Sequence, residues 1–91
     1  MSNTLRQNNL TAEDISSWLV GYLSRLLSIE AEELDTSVAF ERYGLDSTAA
    51  AGLSGDLGDW LGCQLESNLV YNYPTIDAVT DHLVEKLGID T

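Results

Sequence analysis

Apolar positions fall into three stretches with helical spacing, divided by one long polar connection and one short apolar segment. Ile15, Trp18, Leu19, Tyr22, Leu23 and Leu26 recur three and four residues apart. That spacing puts them on one stripe of a helix of about four turns. Thr11-Ala12-Glu13-Asp14 opens this helix with a capping pattern and with acids where the dipole favours them, and an end is expected near Leu27 or Ser28. A second helix is predicted from about Ser47 to Leu61. With side chains about 100° apart, Ala49, Ala50, Leu53, Leu57, Trp60 and Leu61 gather on a core face. Ser47, Thr48, Ala51, Gly55 and Gly58 fall opposite, with Gly52 and Asp59 at the margin. Thr75 can cap a last helix in which Ile76, Val79, Leu83 and Leu87 form a seam, with His82 on the far side as a solvated histidine and Gly88 as the stop.

The connection from Ser28 to Asp46 is long enough to suggest a short helix of its own or work to do, and Val38 to Tyr43 can supply a short turn. Ile29, Leu34, Val38 and Phe40 are its apolar anchors. Glu30, Glu32, Glu33 and Asp35 form a solvated face; the glycine and spacing of a calcium loop are missing. Leu65 to Asn72 reads equally as a strand or a helical turn, and it must stop before Pro74. Residues 1–10 form a polar, aperiodic, flexible leader, 11–88 a single domain and 89–91 a tail. The fold class is therefore all-α: a four-helix bundle of three main helices plus one short one, with a long first loop.

At 91 residues and 44% apolar the chain affords one thin core, with no room for a deep substrate cavity. Fifteen acidic against four basic side chains leave a net charge of −11, which repels nucleic acid and anionic membrane surfaces and attracts a basic protein partner, or else simply keeps the chain soluble. The single cysteine, Cys63, excludes an intrachain disulfide. With no apolar signal core and no membrane-length stretch, the expected location is the cytoplasm and the expected state a monomer.

Enzyme chemistry finds little to work with. Gly52-Leu53-Ser54-Gly55 lacks the spacing of a nucleophile elbow, and His82 is the one candidate base. One histidine and one cysteine do not make a usual zinc site. Neither a phosphate-cradling lysine loop nor a dinucleotide fingerprint is present. What stands out is Tyr43-Gly44-Leu45-Asp46-Ser47. Gly44 permits a tight turn, Leu45 is an apolar plug, and Asp46 or Ser47 can cap the second helix. The Ser47 hydroxyl is then held outward where loop becomes helix, beside N–H groups and a dipole that favour an anion. Gly52, Gly55 and Gly58 each cost that helix about 1 kcal/mol relative to Ala. They reflect either drift in a helix held by packing or the close approach of a partner's backbone or a long ligand.

Phe40-x-x-x-Gly44-Leu45-Asp46-Ser47, then Ala50, Leu53 and Leu57, then Leu69-Val70-Tyr71-Asn72-Tyr73-Pro74-Thr75, resembles an acyl carrier protein of the polyketide or lipopeptide type. The resemblance covers about residues 11–87. It implies a bundle with a short third helix and a non-catalytic role. It also implies 4′-phosphopantetheine carried covalently on Ser47, placed there from coenzyme A by a phosphopantetheinyl transferase. Leu53 through Gly62 is similar, more narrowly, to carriers loaded by a fatty acyl-AMP ligase; an acyltransferase is the other loading enzyme, and ketosynthase or tailoring enzymes take the cargo. Thr48 stands where the family usually has Leu or Met, and Gly52 where an acid is common. We therefore expect partners to read Gly44, Leu45 and Asp46 at the turn and shape at Thr48, Ala51 and Gly55, with charge from Asp56 and Asp59. A chain that starts with Met and stops just after its last helix reads as freestanding, with an excised megasynthase domain as the alternative. Two other functions compete: an aminoacyl carrier of nonribosomal peptide synthesis, and an unmodified acidic adaptor in which Ser47 is only a cap.

Overall fold

Residues 10–89 are described in the computed structural model, and four helices carry them. Helix α1 spans Ala12–Leu27, α2 Ser47–Leu61, α3 Leu69–Asn72 and α4 Ile76–Leu87. Local chemistry sets the starts. Asp14 N donates to Thr11 Oγ1 at 3.2 Å while Thr11 N donates to Asp14 Oδ2 at 3.1 Å, satisfying two N–H groups that have no partner inside the helix. Thr75 Oγ1 accepts from Ala78 N at 3.0 Å at the head of α4. The segment left open between strand and helix is helical, as α3. Leu10, at the end of the expected leader, and Ile89, at the start of the expected tail, both pack against the core; the rest of leader and tail lies outside the described residues.

Ile15, Leu19 and Leu23 of α1, Leu53 and Leu57 of α2, and Ile76, Val79 and Leu83 of α4 are at most 1% exposed, each contributing about 1.5–3 kcal/mol by leaving water. Helix α1 lies along α4, and α2 against α3, which adds Leu69 and Val70. Leu26 and Leu87, expected on the stripes, are exposed at the ends of their helices.

The buried side of α2 departs from expectation. Ala50, Leu53, Ser54, Leu57 and Gly58 face inward, so the helix is rotated about its axis relative to the predicted face. Trp60, expected in the core, is 42% exposed, and Gly58, expected on the open face, is buried. The cause is the return of the chain after Gly62. A Cβ on Gly58 would lie 2.6 Å from the Cys63 carbonyl oxygen, so this glycine admits the chain's own backbone rather than a partner's.

The long connection is tied down along its length. It holds two 3₁₀ turns, the expected one at Phe40–Tyr43 and an unexpected one at Ala31–Glu33. Leu34 and Phe40 are buried. The Asp35 carboxylate accepts from Ser37 Oγ at 2.6 Å and Ser37 N at 2.9 Å; these bonds, the hydroxyl's first, hold its pKa below the usual carboxylate value. Asp35 N donates to Tyr43 Oη at 2.7 Å. Phe40 N donates to Pro74 O at 2.8 Å and Asp77 N to Thr36 O at 3.0 Å, so the loop is laced to the head of α4. That lacing fixes the turn that follows Tyr43.

Candidate functional site

The turn entering α2 is built around Gly44, whose φ of 84° lies in the left-handed region where a side chain is strained. Its N–H donates to Glu41 O at 3.1 Å. Leu45 packs against the core and pins the turn. Asp46 then takes the cap, its Oδ1 accepting from Ala49 N at 2.8 Å. Of the two residues that could have capped α2, Asp46 does so, and Ser47 is left as the first helical residue.

Ser47 is exposed, and its hydroxyl makes no hydrogen bond to another described residue. The N–H groups of Ser47 and Thr48 likewise have no partner among the described residues. A hydroxyl in open solvent beside unpaired N–H groups at the positive end of a 15-residue helix suits an attached phosphodiester. It does not suit nucleophilic catalysis, which needs a base within hydrogen-bond reach. His82, expected as a solvated histidine, is half-buried, its ring stacked on Tyr73 at 4.0 Å and 14°. It shares a hollow with Gln64, Leu65 and Lys86.

Thr48, Ala51, Gly52 and Gly55 are exposed along α2, forming a smooth strip that begins at Ser47. A Cβ at Gly55 would meet nothing within 4 Å. Gly44, Leu45, Asp46, Thr48 and Ala51 thus surround Ser47, whereas Asp56 and Asp59 lie about 14 and 18 Å further along the helix. Asp56 is engaged within the molecule, its Oδ2 accepting from Tyr22 Oη at 2.7 Å. Burial first, then this bond and the carboxylate charge, push the Tyr22 phenol up to about 12. Beside Asp46 is a cleft of about 110 Å³, lined by Phe40, Leu45, Ala50, Val70 and Tyr71 among others. Tyr71, part of the Leu69–Thr75 motif, is 65% exposed at its rim; its place as an outward residue of α3 becomes plain only once that segment is known to be helical.

Among the described residues no helix is long and apolar enough to cross a membrane. A family model described as "Phosphopantetheine attachment site" matches residues 17–83. The acyl carrier protein TtuC of Teredinibacter turnerae is 32% identical over 77 residues, covering 85% of this chain and 88% of its own. Polyketide synthase PksL of Bacillus subtilis is 33% identical over 81 residues, covering 89% of this chain, which spans only 2% of that protein. Among solved structures, a free-standing peptidyl carrier protein from Acinetobacter baumannii superposes with a TM-score of 0.79 at 35% identity, covering 85% of this chain and 96% of that one. Asl1650, an acyl carrier protein from Anabaena with a variant phosphopantetheinylation-site sequence, gives 0.77 at 37%, covering 84% and 86%. With the matched region running through all four helices, the chain belongs to the phosphopantetheine-binding carriers, non-catalytic proteins of polyketide and related secondary metabolism that bear a 4′-phosphopantetheine group.

Proposed function

We propose that Ser47 bears the phosphopantetheine arm and that the chain holds a fatty acyl or polyketide intermediate on it. The observation that carries this is the exposed hydroxyl at the first residue of α2, unbonded among the described residues, with Asp46 doing the capping. When attached, the arm supplies a thiol that joins cargo as a thioester. The chain's own contribution is position. Gly44 and Leu45 fix the turn, the N–H groups of Ser47 and Thr48, without partners among the described residues, would face the phosphate, and the strip of Thr48, Ala51 and Gly55 leaves room for a partner to approach. Partners in this reading are a phosphopantetheinyl transferase, a fatty acyl-AMP ligase or acyltransferase that loads the thiol, and ketosynthase or tailoring enzymes that take the cargo, all in the cytoplasm.

Acyl cargo is favoured by the likeness to two acyl carriers and to a polyketide synthase. The likeness to a peptidyl carrier keeps an aminoacyl cargo as the second reading. The cleft beside Asp46 bears on how cargo rides. A cavity of about 150 Å³ takes one benzene, so this cleft of about 110 Å³ has no room for a long acyl chain. The test is loading of the arm-bearing protein: a fatty acyl-AMP ligase with a fatty acid against an adenylating enzyme with an amino acid, read by intact mass. Acyl loading that slows in Thr48→Glu and Gly55→Glu supports the reading. Aminoacyl loading alone overturns the cargo, and rates unchanged in both variants overturn recognition by shape.

A further inference from the structure

The chain's two tryptophans meet on the seam between α1 and α2, away from Ser47. Trp18 and Trp60 stack at 5.5 Å and 18°, and Tyr22 stacks on Trp18 at 5.0 Å and 20°. Trp60 remains 42% exposed, presenting apolar surface that water disfavours. Carboxylates rim this stack. Asp14 lines the same hollow as Trp18 and Trp60. Asp56 is held at the seam by the Tyr22 hydroxyl, and exposed Asp59 directly precedes Trp60. Arg25 is a cation on this side of α1, its charge acting on the Tyr22 phenol and its Nη1 3.6 Å from where a Cβ on Gly21 would stand. Trp60 follows Ser47 by thirteen positions in one helix, which sets the two about 20 Å apart.

Charge decides what can cover such a surface. A second copy would bring −11 against −11, and anionic lipid is repelled for the same reason. A guanidinium fits: it is planar and weakly hydrated, lies flat on an indole face, and shares its N–H groups with flanking carboxylates. We propose that the Trp18–Trp60 seam is a second docking surface, which takes an arginine-bearing segment of a partner protein while Ser47 stays free. Such an anchor raises the effective concentration of the arm at the partner's active site without obstructing it.

Because both tryptophans lie in the seam, tryptophan fluorescence of the full chain, excited to the red of tyrosine absorption, reports on this surface alone. The probes are an oligoarginine and an oligolysine peptide of equal length. Oligoarginine is expected to change the emission saturably and to bind about tenfold more tightly than oligolysine, and Trp60→Ala and Asp59→Lys are each expected to weaken it about tenfold by calorimetry. Asp59→Lys alters only an exposed side chain, so it keeps the test valid should Trp60→Ala fail to fold. Arm attachment at Ser47 is expected at the wild-type rate in Trp60→Ala, which separates failure here from failure of the Ser47 reading. Equal binding of the two peptides, binding untouched by either variant, a Trp60-dependent dimer in sedimentation, or a larger emission change with phosphatidylcholine vesicles than with oligoarginine would each overturn the proposal.

Discussion

Replacing Gly58 by alanine tests how the second helix is seated. A Cβ there would stand 2.6 Å from the Cys63 carbonyl oxygen, with Leu65 N and Cγ at 3.5 and 3.6 Å. The oxygen cannot swing aside freely, because Gly62 N and Cys63 N both donate to Gly58 O, at 2.8 and 3.0 Å. Restoring ordinary contact means moving that backbone by about 0.8 Å, and overpacking of this kind costs about 1–3 kcal/mol. Relief of a helical glycine returns about 1 kcal/mol. The obstacle is hydrogen-bonded backbone, which places the strain in the upper part of its range, so Gly58→Ala should lose about 1–2 kcal/mol. Gly55→Ala meets nothing within 4 Å and should gain about 0.5–1 kcal/mol. Urea unfolding followed by circular dichroism reads the pair, with opposite shifts in midpoint at unchanged slope. Equal shifts in the two variants would mean that the chain after Gly62 does not fold back over Gly58.

Asp46→Ala should cost about 1 kcal/mol through the lost cap, whereas Asp46→Asn should keep the midpoint and slow transferase loading at low salt, a deficit that fades as salt is added. Tyr22→Phe removes the bond to Asp56 and should cost about 0.5–1.5 kcal/mol at neutral pH. The phenol's pKa rises from 10.0 unfolded to about 12 folded, so its contribution is complete below pH 10 and is lost as pH climbs through 12; unfolding curves across that window should show the wild-type advantage over Tyr22→Phe shrinking. Thr80 Oγ1 is buried with no partner among the described residues, so Thr80→Val should raise stability by about 1 kcal/mol. A loss there would reveal a partner for that hydroxyl.

Helix starts and the turn before Ser47 were legible in the sequence because they rest on neighbours. Thr11, Thr75 and Gly88 act within a few residues of themselves, and Gly44 through Ser47 need only a left-handed glycine and a cap. The rotation of α2 was not legible. It depends on where Cys63 and Leu65 return, and nothing in the spacing of Leu53, Leu57 and Trp60 records that. The same holds for the Tyr22–Asp56 bond, which joins residues 34 apart, and for His82, whose helical phase pointed to water while Tyr73 of the preceding loop supplied a ring to stack on. Glu30, Glu32, Glu33 and Asp35 are exposed, as expected of a solvated face, but the ties of the connection to Pro74, Asp77 and Tyr43 join partners that composition does not reveal.

In this reading one hydroxyl, on Ser47, is the mount for the arm. Folded protein incubated with coenzyme A and a phosphopantetheinyl transferase should gain one phosphopantetheine by intact mass. Fragmentation should place it on the peptide at Ser47, and Ser47→Ala should gain nothing while unfolding at the wild-type midpoint. A modified Ser47→Ala, or a folded wild-type chain that stays unmodified, would mean that Ser47 is not the mount.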